Sequence, residues 1–398
     1  MKSYRTAFRH LALTSAIVLV SVASAHALDA NAFGTRLKAV LAQQGAEINW
    51  TNITENGTQV VLEGVTIGAP GKPDKANVGN VTLDNITEEN GGYKIGTLTL
   101  PNYSTTEDGM TVDINGATVS GLTIPGEGVT DPVAALMMYS NANLSSLSVK
   151  QGDKQVFAMD NLHMEITPSA EGKPMEFKGA AEKFTADLSQ TQDPQSKAVI
   201  EALGYQTING FFEMAGSWQP TDGMISLSQY DITVDQAGTF GMTFDLGGYT
   251  PAFLKSIQDL QKQMASQPAG ADSSAQGMAM LGLMQQLSFH AASIRWDDDS
   301  LTKKALDFIA KSQNQKPEDI ANQAKAIVPF LMAQLNNPEL TAQVTEAVTK
   351  YLDDPKSIEI SAEPENAVPF AVIMAGAMSG SPQDLAKTLA VSVSANED

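Results

Sequence analysis

Cysteine is absent from all 398 residues. Without thiols the chain forms no disulfide and binds no metal through thiolates. Large secreted eukaryotic proteins usually carry bridges, so their absence in an exported chain of this size favours a bacterial periplasm, where a sizeable core holds the fold alone. In that compartment the Asn-x-Ser/Thr triplets at Asn52, Asn56, Asn80, Asn85, Asn102 and Asn143 are by-products of Thr-rich strands and turns rather than glycan acceptors. Histidine is nearly as scarce. Of the four, His10 and His26 fall within the first 27 residues, while His163 and His290 lie on separate alternating segments. A Ser-His-Asp site or an imidazole zinc site would have to be assembled from that distant pair, so neither is expected.

Basic residues are in deficit, 25 against 45 acidic ones. Three of the bases and none of the acids precede Leu28, which leaves a formal charge of −23 on the remainder. Such a surface repels nucleic acid and anionic headgroups, and no nucleic-acid partner is expected. Long apolar runs are lacking too. Beyond residue 27 the best candidate, Ala367 to Met378, has 12 residues and contains Pro369 and Gly376, well short of the ~20 that cross a bilayer. It reads as a buried core segment, and the chain after its leader as soluble or at most peripheral, with no integral membrane span.

The leader itself is well marked. Lys2, Arg5 and Arg9 form a positive n-region, Leu11 to Ala25 an uncharged h-region, and Ala25-His26-Ala27 ends in the small-x-small pattern of a cleavage site. Residues 1–27 are therefore expected to be a signal peptide, cleaved near Ala27.

Residues 28–265 read as a short helix followed by a sheet. In "NAFGTRLKAVLAQQG" the residues Phe33, Leu37, Val40 and Leu41 share a helical face. From Glu47 the period drops to two: "TQVVLEGVTIG", "NVTLDNITE", "YKIGTLTLPNY", "MTVDINGATVSGLTIP" and "LSSLSVK" alternate apolar with polar residues. "ENG" at 55–57, "ENGG" at 89–92 and "EDG" at 107–109 supply the positive-φ residues of hairpin turns. The phrases "VVLEGVTI", "VTLDNITE" and "VDINGATV" form a loose internal repeat, too irregular for a propeller or β-helix, so a wide, curved open sheet is expected. Helices are predicted at "DPVAALMMYSNA" from Asp131 and "DPQSKAVIEALG" from Asp193, each with Asp before Pro, and at "AFLKSIQDLQKQMA".

Residues 266–280 read as a flexible linker and 281–398 as a strand plus a helical subdomain with closing strands. Three helical stripes follow the strand: Leu301, Ala305, Phe308 and Ile309; Ile320, Ala324, Ile327, Val328 and Leu331; Leu340, Val344, Ala347, Val348 and Tyr351. The fold class is α+β, a large curved antiparallel β-sheet with a C-terminal helical subdomain.

Candidate chemistry is thin. Ser300-Leu301-Thr302-Lys303 matches Ser-x-x-Lys, in which one helical turn separates a nucleophilic serine from a lysine, but no Lys-Thr-Gly accompanies it. Asp297, Asp298 and Asp299 stand in a row without the alternate spacing or the glycine of a calcium loop. They read as a cap, with Asp299 or its neighbour at the start of the helix that follows. Met278, Met280 and Met284 with Leu281, Leu283 and Leu287 form an apolar cluster expected to pack in the core. No catalytic residue, metal ligand or cofactor is assigned, and no particular residue is assigned to ligand binding.

"YDITVDQAGTFGMTFDLGGYTPAFL", "IRWDDDSLTKKALDFIA", "LDDPKSIEISAEPENAVPFAVI" and "LAVSVSAN" resemble the C-terminal half of uncharacterised exported proteins of alphaproteobacteria. The acidic strand end with its "DSL" helix start is similar in pattern to YdgA-like envelope proteins of Gram-negative bacteria, and the stranded front half to AsmA-like ones. The resemblance implies a periplasmic or inner-membrane-facing protein without established catalytic residues. The expected function is that of a non-enzymatic envelope factor binding an apolar, lipid-like ligand or a protein partner. A structural interaction protein is the alternative, and an envelope serine hydrolase using Ser300 and Lys303 a further one. The wet alternate positions of "VTLDNITE" and "TVDING" favour protein contact. Export predicts its own test: the protein recovered from the periplasm of a Gram-negative host should begin at Leu28 by N-terminal sequencing, and an intact Met1 in that fraction would contradict cleavage.

Overall fold

The computed structural model describes residues 28–397 apart from 73–74, 132, 170–172, 266–273, 334–335 and 379–381. The expected signal peptide, residues 1–27, and residues 266–273 of the expected linker thus lie outside the described residues. The chain opens with helix α1 (Ala30–Gln43), capped by Asp29, whose carboxylate accepts the N–H groups of Asn31 and Ala32.

Strands follow as β1 (Glu47–Asn49), β2 (Asn52–Asn56), β3 (Gln59–Gly68), β4 (Lys75–Glu89), β5 (Gly92–Thr99), β6 (Tyr103–Glu107), β7 (Met110–Ile124), β8 (Asn141–Gln151), β9 (Lys154–Thr167) and β10 (Met175–Asp187). Helix α2 (Pro194–Leu203) leads to β11 (Thr207–Gln219), β12 (Met224–Val234) and β13 (Gly238–Gly247). Then come α3 (Pro251–Ala265), α4 (Ser274–Met284) and β14 (Ser288–Asp298), and after them α5 (Leu301–Gln313), α6 (Pro317–Ala333) and α7 (Pro338–Asp353). The chain closes with β15 (Ser357–Ala362), β16 (Val368–Pro369), α8 (Phe370–Met378), α9 (Pro382–Thr388) and β17 (Val391–Ala395).

All 17 strands belong to one sheet, and its described pairings are antiparallel. β1 and β2 lie end to end against β3, β5 and β6 against β7, and β15 and β16 against β14, so the 17 strands fill 14 lateral positions. Between these, each strand pairs with its successor. At about 4.8 Å per step the sheet is roughly 60 Å wide, and with its right-handed twist it is open and curved. The hairpin turns fall where the sequence placed them: Gly57 has φ +65°, Asn90 +52°, Gly91 +73°, Asp108 +49° and Gly109 +77°.

Many strands carry one local break. In β7, Gly116 (φ +65°) stands opposite Ser145 of β8, which in turn stands opposite Asn161 (φ +52°) of β9; the regular pairs resume one residue on either side. A second line runs through Asn85 (φ +55°), Gly96, Gly121 (φ +66°) and Ser140. At each break the apolar positions step by three instead of two, as in Leu83 to Ile86, Ile95 to Leu98 and Leu144 to Leu147. The same side of the sheet therefore stays apolar on both sides of the break. The loose repeat in the sequence is this device, an apolar residue, one polar residue, then Gly, Asn or Ser and an apolar residue again.

Two expectations about local structure fail. The stretch from Asp131 is not a helix but one tight turn, in which the Asp131 carboxylate accepts the N–H groups of Val133 and Ala134. The chain then extends because the Thr123 N–H and hydroxyl both donate to the Met138 carbonyl and the Met138 N–H donates to the Thr123 hydroxyl, which carries Met137 and Tyr139 onto the core. The segment from Ala367 to Met378 is buried only at Val368. It forms β16 and α8, and Val372 and Met378 are 48% and 84% exposed.

The breaks make a stability prediction. Gly57→Ala strains only a left-handed turn residue with open space around it, a cost of about 1 kcal/mol. Gly121→Ala places its Cβ 2.4 Å from Ser140 Oγ and 2.9 Å from Ser140 Cβ, so urea unfolding should show a loss of about 2–3 kcal/mol.

Candidate ligand-binding face

Directly opposed residues in an antiparallel sheet share a face. One such row runs from Ala117 through Leu144, Leu162, Ala181, Phe212, Ile232, Phe240, Trp296 and Ile358 to Ala395, crossing ten strands without a charged residue. A parallel row joins Val60, Leu83, Leu98, Val119, Ala142, Met164, Gly179, Met214 and Tyr230. The apolar side is thus continuous across the molecule.

Its cover is not. At the β1 to β7 end α1 inserts Phe33, Leu37 and Val40 among Val60, Leu62, Leu83, Ile95 and Ile124, all of them buried. Phe33 meets the Tyr93 ring edge-on at 5.1 Å, and Arg36 donates to the carbonyls of Pro125 and Gly126, which fixes the helix across the strand ends. At the other end Ala347 and Tyr351 of α7 pack with Ala395, Trp296, Ile358 and Val393. Below them Phe253 of α3 and Trp218 are buried, with the Trp218 indole donating to the Tyr249 carbonyl.

Between these covers the two packed clusters stop. On β8 to β12 the side chains of Leu144, Leu162, Met164, Phe212, Met214 and Ile232 are half-buried. Further along the same face Ile294 and Ile360 are 50% and 52% exposed. A depression of about 470 Å³ at the break between β8 and β9 is lined mainly by polar residues of the other face, Asn141, Asn143, Asn161, His163, Glu165 and Glu182, and so is not part of the apolar strip. The opposite side of the same strands exposes His163, Glu165 and Glu213 to water.

The polar candidates are arranged otherwise. Asp297 turns back to Arg295, accepting from its Nε at 2.9 and 3.0 Å and pairing with its Nη2 at 2.9 Å, while Nη1 donates to Glu359 and to the Glu397 carbonyl. The carboxylates of Asp297, first, and Glu359 raise the Arg295 pKa. Asp298 points the other way. Its Oδ1 accepts from the Thr302 N–H and the Thr302 hydroxyl at 2.8 Å each and from the Trp296 indole at 3.2 Å. Asp299 is exposed. The cap of α5 therefore comes from Asp298, the neighbour rather than Asp299, and the three carboxylates do not converge. Among the described residues no three His, Asp or Glu side chains stand together as a metal site.

A backbone device completes the cap, one that no motif announced. The Ala237 carbonyl, in the turn between β12 and β13, receives the N–H groups of Asp299, Ser300 and Leu301 at 3.0, 3.2 and 3.3 Å. Its neighbour Gln236, at φ +59°, offers its own carbonyl to the Ser300 hydroxyl and to Lys304. Ser300 and Lys303 are accordingly not a pair: the hydroxyl is engaged with Gln236, and Lys303 points outward to Asp307 at 2.8 Å. His163 and His290 remain five strands apart, and His290 meets Ser288 at 3.1 Å. The Tyr351 hydroxyl bonds Thr302, and desolvation pushes its pKa up, so it stays neutral and serves as a strut between α7 and α5.

The Met cluster expected in the core is largely outside it: Met278 and Leu281 are 72% and 43% exposed, and Leu287 alone among the six is buried. The second helical stripe is likewise partly uncovered, with Ile327 and Leu331 at 53% and 61%. Replacement of Asp298 by Ala should cost about 1–3 kcal/mol in chemical unfolding, since it strips a cap and leaves the Trp296 indole without its acceptor. Asp299→Ala should stay within about 0.5 kcal/mol. Equal losses for the two would show that the Asp298 cap is not what holds α5.

A family model described as "Uncharacterized protein" matches residues 231–396, from the second half of β12 to the end of β17. No curated protein matches the chain.

Proposed function

We propose that this chain is a non-enzymatic factor of the Gram-negative envelope, exported to the periplasm, that holds an apolar, lipid-like ligand on the open middle of its sheet. The observation that carries the reading is the strip over β8 to β12, where an apolar face is left half-buried between a cover at each end. A sheet face rich in Leu, Met and Phe is normally closed by a second layer, and apolar surface left open in this way marks a binding site.

The dimensions suit a lipid. Five strands span about 20 Å and strands of 11 to 14 residues run roughly 35–45 Å, while the acyl chains of one leaflet reach about 15 Å. The half-burial of the lining suits a flexible apolar occupant better than a rigid one, because Met164 and Met214 adapt their rotamers. The charge of −20 on the whole chain disfavours an anionic headgroup. The leader pattern, the absence of cysteine and the pattern resemblance to YdgA-like and AsmA-like proteins support the compartment and the envelope role.

The test is native mass spectrometry of the protein taken gently from the periplasm. Wild type should carry copurified phospholipid, and Met214→Gln should carry at least several-fold less at an unchanged melting temperature. Glu213→Gln, on the wet side of the same strand, should retain it. A wild type without lipid, or one that instead carries a stoichiometric protein on this strip, would overturn the lipid reading.

A further inference from the structure

Two short helices stand out by what they lack. Gly277 to Met284 of α4 and all of α8 together contain no polar side chain. Helices apolar on every side are normally buried, yet Met278 and Met378 are 72% and 84% exposed, and Leu281 and Val372 43% and 48%. The two helices pack on each other. α8 is tied to the sheet, since it grows out of β16, which pairs with Ser288 and Phe289 of β14, and the Phe370 N–H bonds the Leu287 carbonyl. The pair therefore sits at the Ser288 end of β14, while α5 leaves from the Asp298 end. Ile294 and Ile360 lie between them on the apolar face.

We infer that the α4–α8 pair is a membrane-docking element that inserts shallowly into the hydrocarbon of an electrically neutral bilayer. A protein partner is the weaker occupant, because specific interfaces carry about one hydrogen bond per 100–200 Å², and this stretch offers no side chain to make one or to fix a register. Fluid hydrocarbon asks for neither. The helices are 11 and 9 residues long, too short to span a core that needs about 20, so they lie in one leaflet. Electrostatics selects the kind of membrane. The patch carries no charge of its own, and the chain carries −20, so attraction to anionic lipid is replaced by repulsion. Ordinary peripheral proteins, anchored by basic residues, show the opposite preference. Because the pair is attached at the Ser288 end of β14, in the same sheet that carries the open strip, docking would bring the strip toward the leaflet from which a lipid could be taken. This last consequence rests on the proposed function; the docking itself does not.

Flotation of the purified, signal-free protein with vesicles tests it. Wild type should float with phosphatidylcholine vesicles and progressively less as phosphatidylglycerol replaces part of the lipid at low salt. A Leu281→Glu/Val372→Glu double variant, changed only at exposed positions, should lose flotation at least tenfold while keeping its melting temperature. Phospholipid copurified with that variant would remain if the strip is the ligand site, whereas Met214→Gln would lose the lipid and still float, so the two readings fail separately. Wild type that does not float, floats better on anionic vesicles, or forms a dimer that the double variant dissociates without any flotation, would overturn the assignment.

Discussion

The fold depends on keeping one face of a very wide sheet apolar from edge to edge. A strand's side chains alternate strictly, so any irregularity that inserts or turns a residue would send the next half of the strand to the wrong side. This chain has such an irregularity in most of its long strands and aligns them laterally, Gly116 with Ser145 and Asn161, Asn85 with Gly96 and Gly121. Because neighbours break at the same level, each apolar row remains opposite another apolar row. The breaks need residues that adopt positive φ or leave room for a neighbour, and the sequence meets that need with Gly, Asn and Ser.

Covering that face is the second demand, and the chain meets it only at the ends. Full burial of a Leu, Met or Phe side chain contributes about 1.5–3 kcal/mol, and α1 and α7 secure this for the strands beneath them. The middle strands forgo part of it. They are held instead by long ladders on both sides, as between β8 and β9 or β9 and β10. The edges receive more protection than the middle: α1 lies by β1 and β2, α7 by β17, and β2 is almost wholly polar, "NITEN". Edge strands are the usual sites of unwanted pairing, so the distribution of covers guards the backbone at the edges and leaves side chains open in the centre.

Much of this was legible in the sequence. The turns at Gly57, Asn90 and Asp108 depend on local chemistry and sit where expected, as does the capped start of α2. The alternation in "VTLDNITE" marks one apolar and one polar face, and the structure has both: Val81, Leu83 and Ile86 are buried while Asn85, Thr87 and Glu88 are exposed. In the structure the covers and the open strip share a single face at different lateral positions, and lateral position is a non-local property that no local pattern encodes. The turn at Asp131 went the same way: Asp-Pro announces a helix, and the hydrogen bonds of Met138 to the backbone and hydroxyl of Thr123 override it. The exposure of α4 and α8 was illegible for a related reason. Apolar composition shows that a segment avoids water, not whether anything in the same chain shields it.

An acidic chain with an open apolar strip has to remain dispersed. The charge that does this sits back to back with the strip, on the other face of the same strands. Asp160, Glu165, Glu176, Glu182 and Glu213 are exposed there against Lys178 and Lys183. In two copies set strip to strip these charges would stand about two sheet thicknesses apart, beyond the Debye length of about 8 Å at physiological salt, so their repulsion would be largely screened. The charge therefore disperses the chain through its wet face and leaves the strip open. The strand alternation that made the fold recognisable thus sets charge and apolar surface on opposite sides of one layer.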